Sequence, residues 1–499
     1  MRTFPTSQGL QEQGCAALCN LCGGNSENQV KVVELGGLVV IFEAMRLFTH
    51  VAEIQQQACW TLKYLALVVE NSRAIANLGG IGLVVAAMRA HHEHTGVQEQ
   101  GCAAFSNISL NPENKILIAQ AGGIECVVDA MRVKIDQPGV QHQGCWALMN
   151  LANHDSIKAM IARAGGIDVV INSMRCNKNR SDILENGCWT LRNLAANSVE
   201  NKQMILRAEG IDTIVMAMRE HQHITSLQQQ GCWAFLNLAS NEECQRAIAE
   251  RGGIDLIVVA MRGHLDHVGV QEYGCAAFSN IALNDDNKVK IARAGGIAVI
   301  VAAMRAHHTI ASVQLQACWA LKNLANHPGN RPIIAGEGGI EAILDALHEH
   351  IDRADIQENG FWTLRNLAAA NSDNQAKIVK CNGVDLIVTG MMRHVDNVGV
   401  QKQGCAALSN IANHKENAAV VTKSGGIEAV IRAMRCNISN SGVQEQGCWA
   451  LMNIGWSVAE HQSHIKAAGG ISTLEAALSN YPSSSIIQDK GRQALNRLK

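Results

Sequence analysis

The chain lacks a basic excess: its 42 Lys and Arg stand against 44 Asp and Glu, a net charge of −2. A phosphate backbone demands a surplus of cations, so nucleic acid is not an expected ligand. No apolar run reaches the roughly 20 residues of a membrane span, and no secretory leader precedes the pattern described below, so no membrane is expected either. Catalytic signatures are also missing. There is no HExxH, GxSxG or GxxxxGK[ST] and no pair of CxxC motifs. "CNLC" at Cys19 to Cys22 lies on an apolar helix with Cys15 and reads as core. His91, His92, His94, His307 and His308 sit in polar loops where solvated caps are the default. No enzyme activity, cofactor or metal is expected.

What the chain has is repetition. "LQEQGCAALCNL" from Leu10 returns as "VQEQGCAAFSNI" from Val97 and "VQEQGCWALMNI" from Val443. The marker residue after its small Gly or Ala is Cys15, Cys59, Cys102, Cys145, Cys188, Cys232, Cys275, Cys318, Phe361, Cys405, Cys448 and Arg492, and successive markers are always 43 or 44 residues apart. A period of that length, sustained end to end without a compositional break, signals a solenoid and not a string of domains. Ten of the 17 cysteines occupy the marker position, too far apart in a stack to pair. The expectation is buried, reduced thiols in a cytosolic or nuclear protein.

Each repeat reads as three helices. After Trp146, "HDSIKAMIARAGG" carries Ile157, Met160 and Ile161 on one face and stops at a glycine pair. "GGIDVVINSMR" restarts with Ile167, Val170, Ile171 and Met174 at helical spacing, and "ILENGCWTLRNLAA" forms the longest helix. Glycine inside that third helix (Gly101, Gly144, Gly187, Gly231, Gly274, Gly360, Gly404, Gly447) costs roughly 1 kcal/mol against Ala, which predicts close approach of a neighbouring helix.

The three-helix unit, the "GGI" turn and the "VQEQGCWALMNLA"-type third helix resemble the armadillo repeat over essentially the whole chain. The resemblance implies an all-α fold, a right-handed α-α superhelix (armadillo-repeat solenoid) with three helices per repeat. It departs from the family in having Gly-Cys where two alanines are common. Residues 1–24 read as a half-repeat holding only a third helix, and 25–499 as a continuous array of about eleven repeats capped by the polar helix "IIQDKGRQALNRLK". A missing cover at the N-terminal end predicts exposed Cys19 and Cys22. It also points to further sequence, a partner or a second copy there.

In armadillo proteins the third helices line a concave groove in which extended peptides lie on Trp and Asn ladders. The matching positions are Trp60, Trp146, Trp189, Trp233, Trp319, Trp362 and Trp449, with Tyr64, Asn150, Asn193, Asn237, Asn323, Asn366 and Asn453 four residues on. A separation of four puts both on one helix face. Asn107, Asn280 and Asn410 keep the amide beside Ala103, Ala276 and Ala406, which breaks the Trp row. Either ladder has a structural reading as well, Trp as core and Asn as a tie to a neighbouring loop.

Four residues before the Trp position, Glu99, Glu185, Glu272, Glu358 and Glu445 place an acid in alternate repeats, partly balanced by Lys63, Arg192, Lys322 and Arg365. Such a row would favour a ligand with matched Lys or Arg, or would simply complement helix starts. The function expected is a scaffold or adaptor binding extended, and under the first reading basic, peptide segments. The alternatives are an importin-α-like adaptor for localisation peptides, for which the basic N-terminal segment is missing, and a passive structural array.

Overall fold

The computed structural model describes residues 1–456 and 458–498, and among them it contains 34 α-helices and no strand. The chain forms two compact bodies, Met1–Gly253 and Ile254–Lys499. Each is a stack of three-helix repeats, an armadillo-type solenoid. In the N-terminal body the third helices Gln8–Cys22, Ala52–Leu65, Thr95–Ile108, Pro138–Leu151, Ser181–Ala195 and Thr225–Leu238 pack side by side. In the C-terminal body Val268–Ile281, Ala311–Ala325, Ala354–Ala368, Val398–Ile411, Ser441–Ile454 and Ser485–Leu498 do the same.

The repeat after Trp146 shows why the sequence folds this way. Its helices are Asp155–Arg163, Gly166–Cys176 and Ser181–Ala195, with Ile157, Ile161, Ile167, Val170, Ile171 and Met174 buried. The glycine pair between the first two has two separate causes. Gly165 takes the left-handed conformation at φ 83°, open to glycine at no cost. The second glycine of the pair lies against the helix just ended: a Cβ at Gly123 would stand 2.6 Å from Ile118 Cγ2 and 2.9 Å from its carbonyl oxygen. Two repeats place Glu209 (φ 57°) and Asn382 (φ 59°) at the left-handed position instead.

The third-helix glycines meet side chains, and not the neighbouring backbone that the sequence suggested. A Cβ at Gly274 would lie 2.6 Å from Met261 Cγ and Sδ, and Gly101, Gly144, Gly187, Gly231, Gly404 and Gly447 face the methionine of their own second helix in the same way. Beside it, a buried Gln donates to two carbonyls at the end of that helix. Gln98 Nε2 reaches Met88 O at 2.8 Å and His91 O at 2.9 Å, and Gln271 and Gln444 repeat the pattern. The marker cysteines are free and buried, and burial pushes Cys59, Cys145, Cys232, Cys318, Cys405 and Cys448 up to about 12.

Cys19 and Cys22 are buried, at 3% and 0% exposure, contrary to the sequence expectation. The first seven residues reproduce the end of a second helix. Gln11 Nε2 donates to Met1 O and Phe4 O as Gln55 does to Met45 O and Phe48 O, and the Met1 side chain sits against Gly14 as the other methionines sit against their glycines. "MRTF" at the start therefore does the work of "MRLF" at Met45.

Neighbouring repeats are tied by ladders of short polar side chains. At the second-helix ends His91, His221, His350 and His394 bond through Nε2 to a loop carbonyl of the preceding repeat at 2.7–2.8 Å. A carbonyl only accepts, so Nε2 carries the proton. The histidine loops are structural ties in these places and not merely solvated caps. On the third helices the Thr61, Thr190 and Thr363 hydroxyls lie 3.1–3.2 Å from the carbonyls of Cys15, Cys145 and Cys318 in the preceding repeat, but closer, at 2.7–2.8 Å, to those of Gln57, Asn186 and Asn359 in their own helix, where their single proton goes.

Candidate functional site

The third helices carry Trp, Asn and a cation on one face because these residues recur at spacings of three and four on a 3.6-residue helix. The indoles of Trp60, Trp146, Trp189, Trp233, Trp362 and Trp449 are partly exposed and Trp319 is 44% exposed; none belongs to the core. The alanines that replace them, Ala103, Ala276 and Ala406, are buried at 0–3%. Tyr64 is also partly exposed.

The asparagines have a structural task. Nδ2 of Asn107, Asn150, Asn193 and Asn237 donates to the carbonyl of Lys63, Ser106, Met149 and Arg192 at 2.8–3.0 Å. In the C-terminal body Asn323, Asn366, Asn410 and Asn453 reach Ser279, Lys322, Arg365 and Ser409 in the same way. One bond does not exhaust an amide with two N–H donors and an acceptor oxygen. Asn280 is partly exposed on its helix and has a partner of its own.

The acidic row points at the next helix. Glu185 accepts from Ser226 Oγ at 2.6 Å and Glu272 from Ser312 Oγ at 2.7 Å, both hydroxyls in the first turn of the following third helix. The carboxylates of Glu99 and Glu358 lie against Gly139 and Gly399, the equivalent positions. Acids there complement the positive end of a helix, about 0.3–1 kcal/mol each. Glu445 keeps a partly exposed place on its own helix.

The sequence reading missed what occupies the Trp slots. Arg192 lies with its Cζ 3.7 Å from the Trp233 ring centroid and 4.9 Å from that of Trp189. Its Nη1 donates to Gln230 Oε1 at 2.7 Å, and Nε and Nη2 donate to Asn193 Oδ1 at 3.2 and 2.9 Å. Lys322 stands between Trp319 and Trp362, its Nζ 4.9 and 4.8 Å from the ring centroids, and donates to Asn359 Oδ1 at 3.0 Å. Burial drives that amine down to about 8, against the pull of Glu358. Lys490 covers Trp449 and Arg497 covers Trp456. The signal was available: a cation three residues after one Trp position, followed 40 or 41 residues later by the next Trp.

Among the described residues no cluster of three or more metal-ligating side chains exists. No single helix there is long and apolar enough to cross a membrane. The bent pair Val69–Asn77 and Gly80–Ala90 reaches that apolarity only when taken together.

Repeats of three helices, tied by backward-reaching ladders and presenting one aromatic face, define an armadillo-repeat solenoid. A family model of the LRRK2 ARM repeat matches residues 1–122, 120–335 and 249–470, and the chain belongs to that family. Among solved structures, an engineered protein is 26% identical, with a TM-score of 0.72 over 81% of this chain and 96% of that one. A structure from work on a phosphorylation switch that controls the interaction between cadherin and β-catenin is similar in fold, with a TM-score of 0.76 and 15% identity over 97% of this chain and 98% of that chain. No curated protein sequence matches significantly.

Proposed function

We propose that the chain is a protein-interaction scaffold that holds extended peptide segments of partner proteins along the third-helix face, binding them without chemistry in a reducing compartment such as the cytosol or nucleus. The observation that carries this is the row of seven indoles kept partly in solvent at one position of the repeat. Exposed aromatic rows are unfavourable unless something covers them. The interaction of cadherin with β-catenin, the subject of the structural neighbour, is a precedent for a protein partner on this architecture. Basic localisation peptides gain no support from the geometry, because Glu99, Glu185, Glu272 and Glu358 lie against helix starts and the chain's own cations lie on Trp189, Trp233, Trp319, Trp362 and Trp449.

The test is affinity capture from lysate with mass spectrometry, comparing the wild type with a variant carrying Trp146→Ala, Trp319→Ala and Trp449→Ala. Circular dichroism first establishes equal folding. Asparagine variants are unsuitable, since they cut the struts between helices. Partners lost from the variant support the reading; an unchanged set of partners refutes it.

A further inference from the structure

We propose that the cavity beside Arg365 is a subsite for an acidic side chain, Asp or Glu, of an extended peptide lying on the third helices of Ile254–Lys499. The inference rests on the peptide-holding reading above. It begins with a duplicated phrase: "WTLRNLAA" occurs at Trp189 and at Trp362, so Arg192 and Arg365 start from the same local sequence. Each spends Nη1 on a glutamine of the next third helix, Gln230 Oε1 at 2.7 Å and Gln403 Oε1 at 3.1 Å. There the likeness stops.

Trp233 covers the Arg192 guanidinium, but its counterpart across from Arg365 is Ala406, and among the described residues no ring lies over Arg365 and no acid pairs with it. Beside Arg365 opens a cavity of about 460 Å³, lined by Arg365, Asn366, Ser409, Asn410, Gln446 and Trp449 among others, and no lining residue is acidic. Nε and Nη2, which Asn193 takes from Arg192, are left for a ligand. Burial pulls Arg365 below the usual arginine range, yet an arginine keeps its charge, so the site holds a part-buried cation without a counter-ion. A carboxylate is the ligand that relieves this cost, because it can accept two parallel N–H bonds from one guanidinium. Asn366, Asn410 and Asn453 stand around it with amide oxygens that can accept from a peptide backbone, and Trp449 offers a wall for its apolar atoms.

The experiment selects a displayed library of random twelve-residue peptides on the full chain, its Arg365→Glu variant and its Ala406→Trp variant. Ala406→Trp repeats the arrangement that Trp233 makes with Arg192, and melting curves establish that both variants fold. Wild-type winners should share an Asp or Glu at one fixed position, and replacing it by Asn or Gln should weaken binding by about tenfold or more in fluorescence polarisation. Arg365→Glu should turn the preference to Lys or Arg. Ala406→Trp should abolish the preference while the rest of the motif survives. Winners without a shared acid, or an acid preference that survives both variants, overturn the subsite and leave the groove reading standing. No winners at all overturn both.

Discussion

Arg192 and Arg365 belong to helices that are nearly the same in sequence, and yet one is sealed and the other open. The difference is one side chain in the following repeat, Trp233 against Ala406. In a solenoid the environment of a residue is therefore written about 41 positions downstream, and a ladder can be switched from wall to socket by a single aromatic. At this pair of positions Trp against Ala means closed against open.

The largest expected effect comes from the buried marker position of the same two helices, Cys188 in one and Phe361 in the other. Burial raises the marker thiols from 9.0, to about 12 for Cys145 and Cys232. The folded state thus holds protons that the unfolded chain releases. Their stabilisation is complete below 9.0 and is lost as pH rises toward about 12, at roughly 1.4 kcal/mol per pH unit for each thiol. Urea midpoints should fall steeply between pH 8 and pH 10.5, and Cys188→Ala should flatten the slope by one thiol's share. At pH 8, iodoacetamide should reach the exposed Cys176 and Cys436 and, more slowly, Cys381. A midpoint indifferent to pH would sink this account.

Trp233→Ala should cost about 2–3 kcal/mol, since it removes a half-buried indole and its stack on Arg192, and it should turn the sealed site into an open one. Chemical denaturation measures the loss. The reverse change, Ala406→Trp, should stabilise by about 1 kcal/mol by covering Arg365; a lower melting temperature would mean that there is no room for the ring over Arg365. Smallest is Glu209→Gly. Relief of the left-handed backbone is worth up to about 1 kcal/mol, less what the exposed Arg175–Glu209 pair contributes.

The repeat, its three helices and the Trp and Asn positions were legible in the sequence because they follow from a period and from helical spacing. The tasks of those residues were not. Asn107, Asn150, Asn193, Asn237, Asn323, Asn366, Asn410 and Asn453 each donate to a backbone carbonyl, and every repeat offers carbonyls whatever its side chains, so no residue type marks the partner. The slot-filling cations were visible only when positions in two successive repeats were read together. Cys19 and Cys22 were misplaced because "MRTF" looked like a tail, although its Met, Arg and Phe match Met45, Arg46 and Phe48 at the end of the next repeat's second helix.

The ladders of His and Asn share a consequence. Both donate backward, from one repeat to carbonyls of the repeat before it, so the stack has a grain. Removing a repeat from the C-terminal side of such a stack bares carbonyl acceptors, whereas removing one from the N-terminal side bares amide and imidazole N–H donors to water. The two faces of any cut through the solenoid are thus chemically different, one a surface of acceptors and the other a surface of donors.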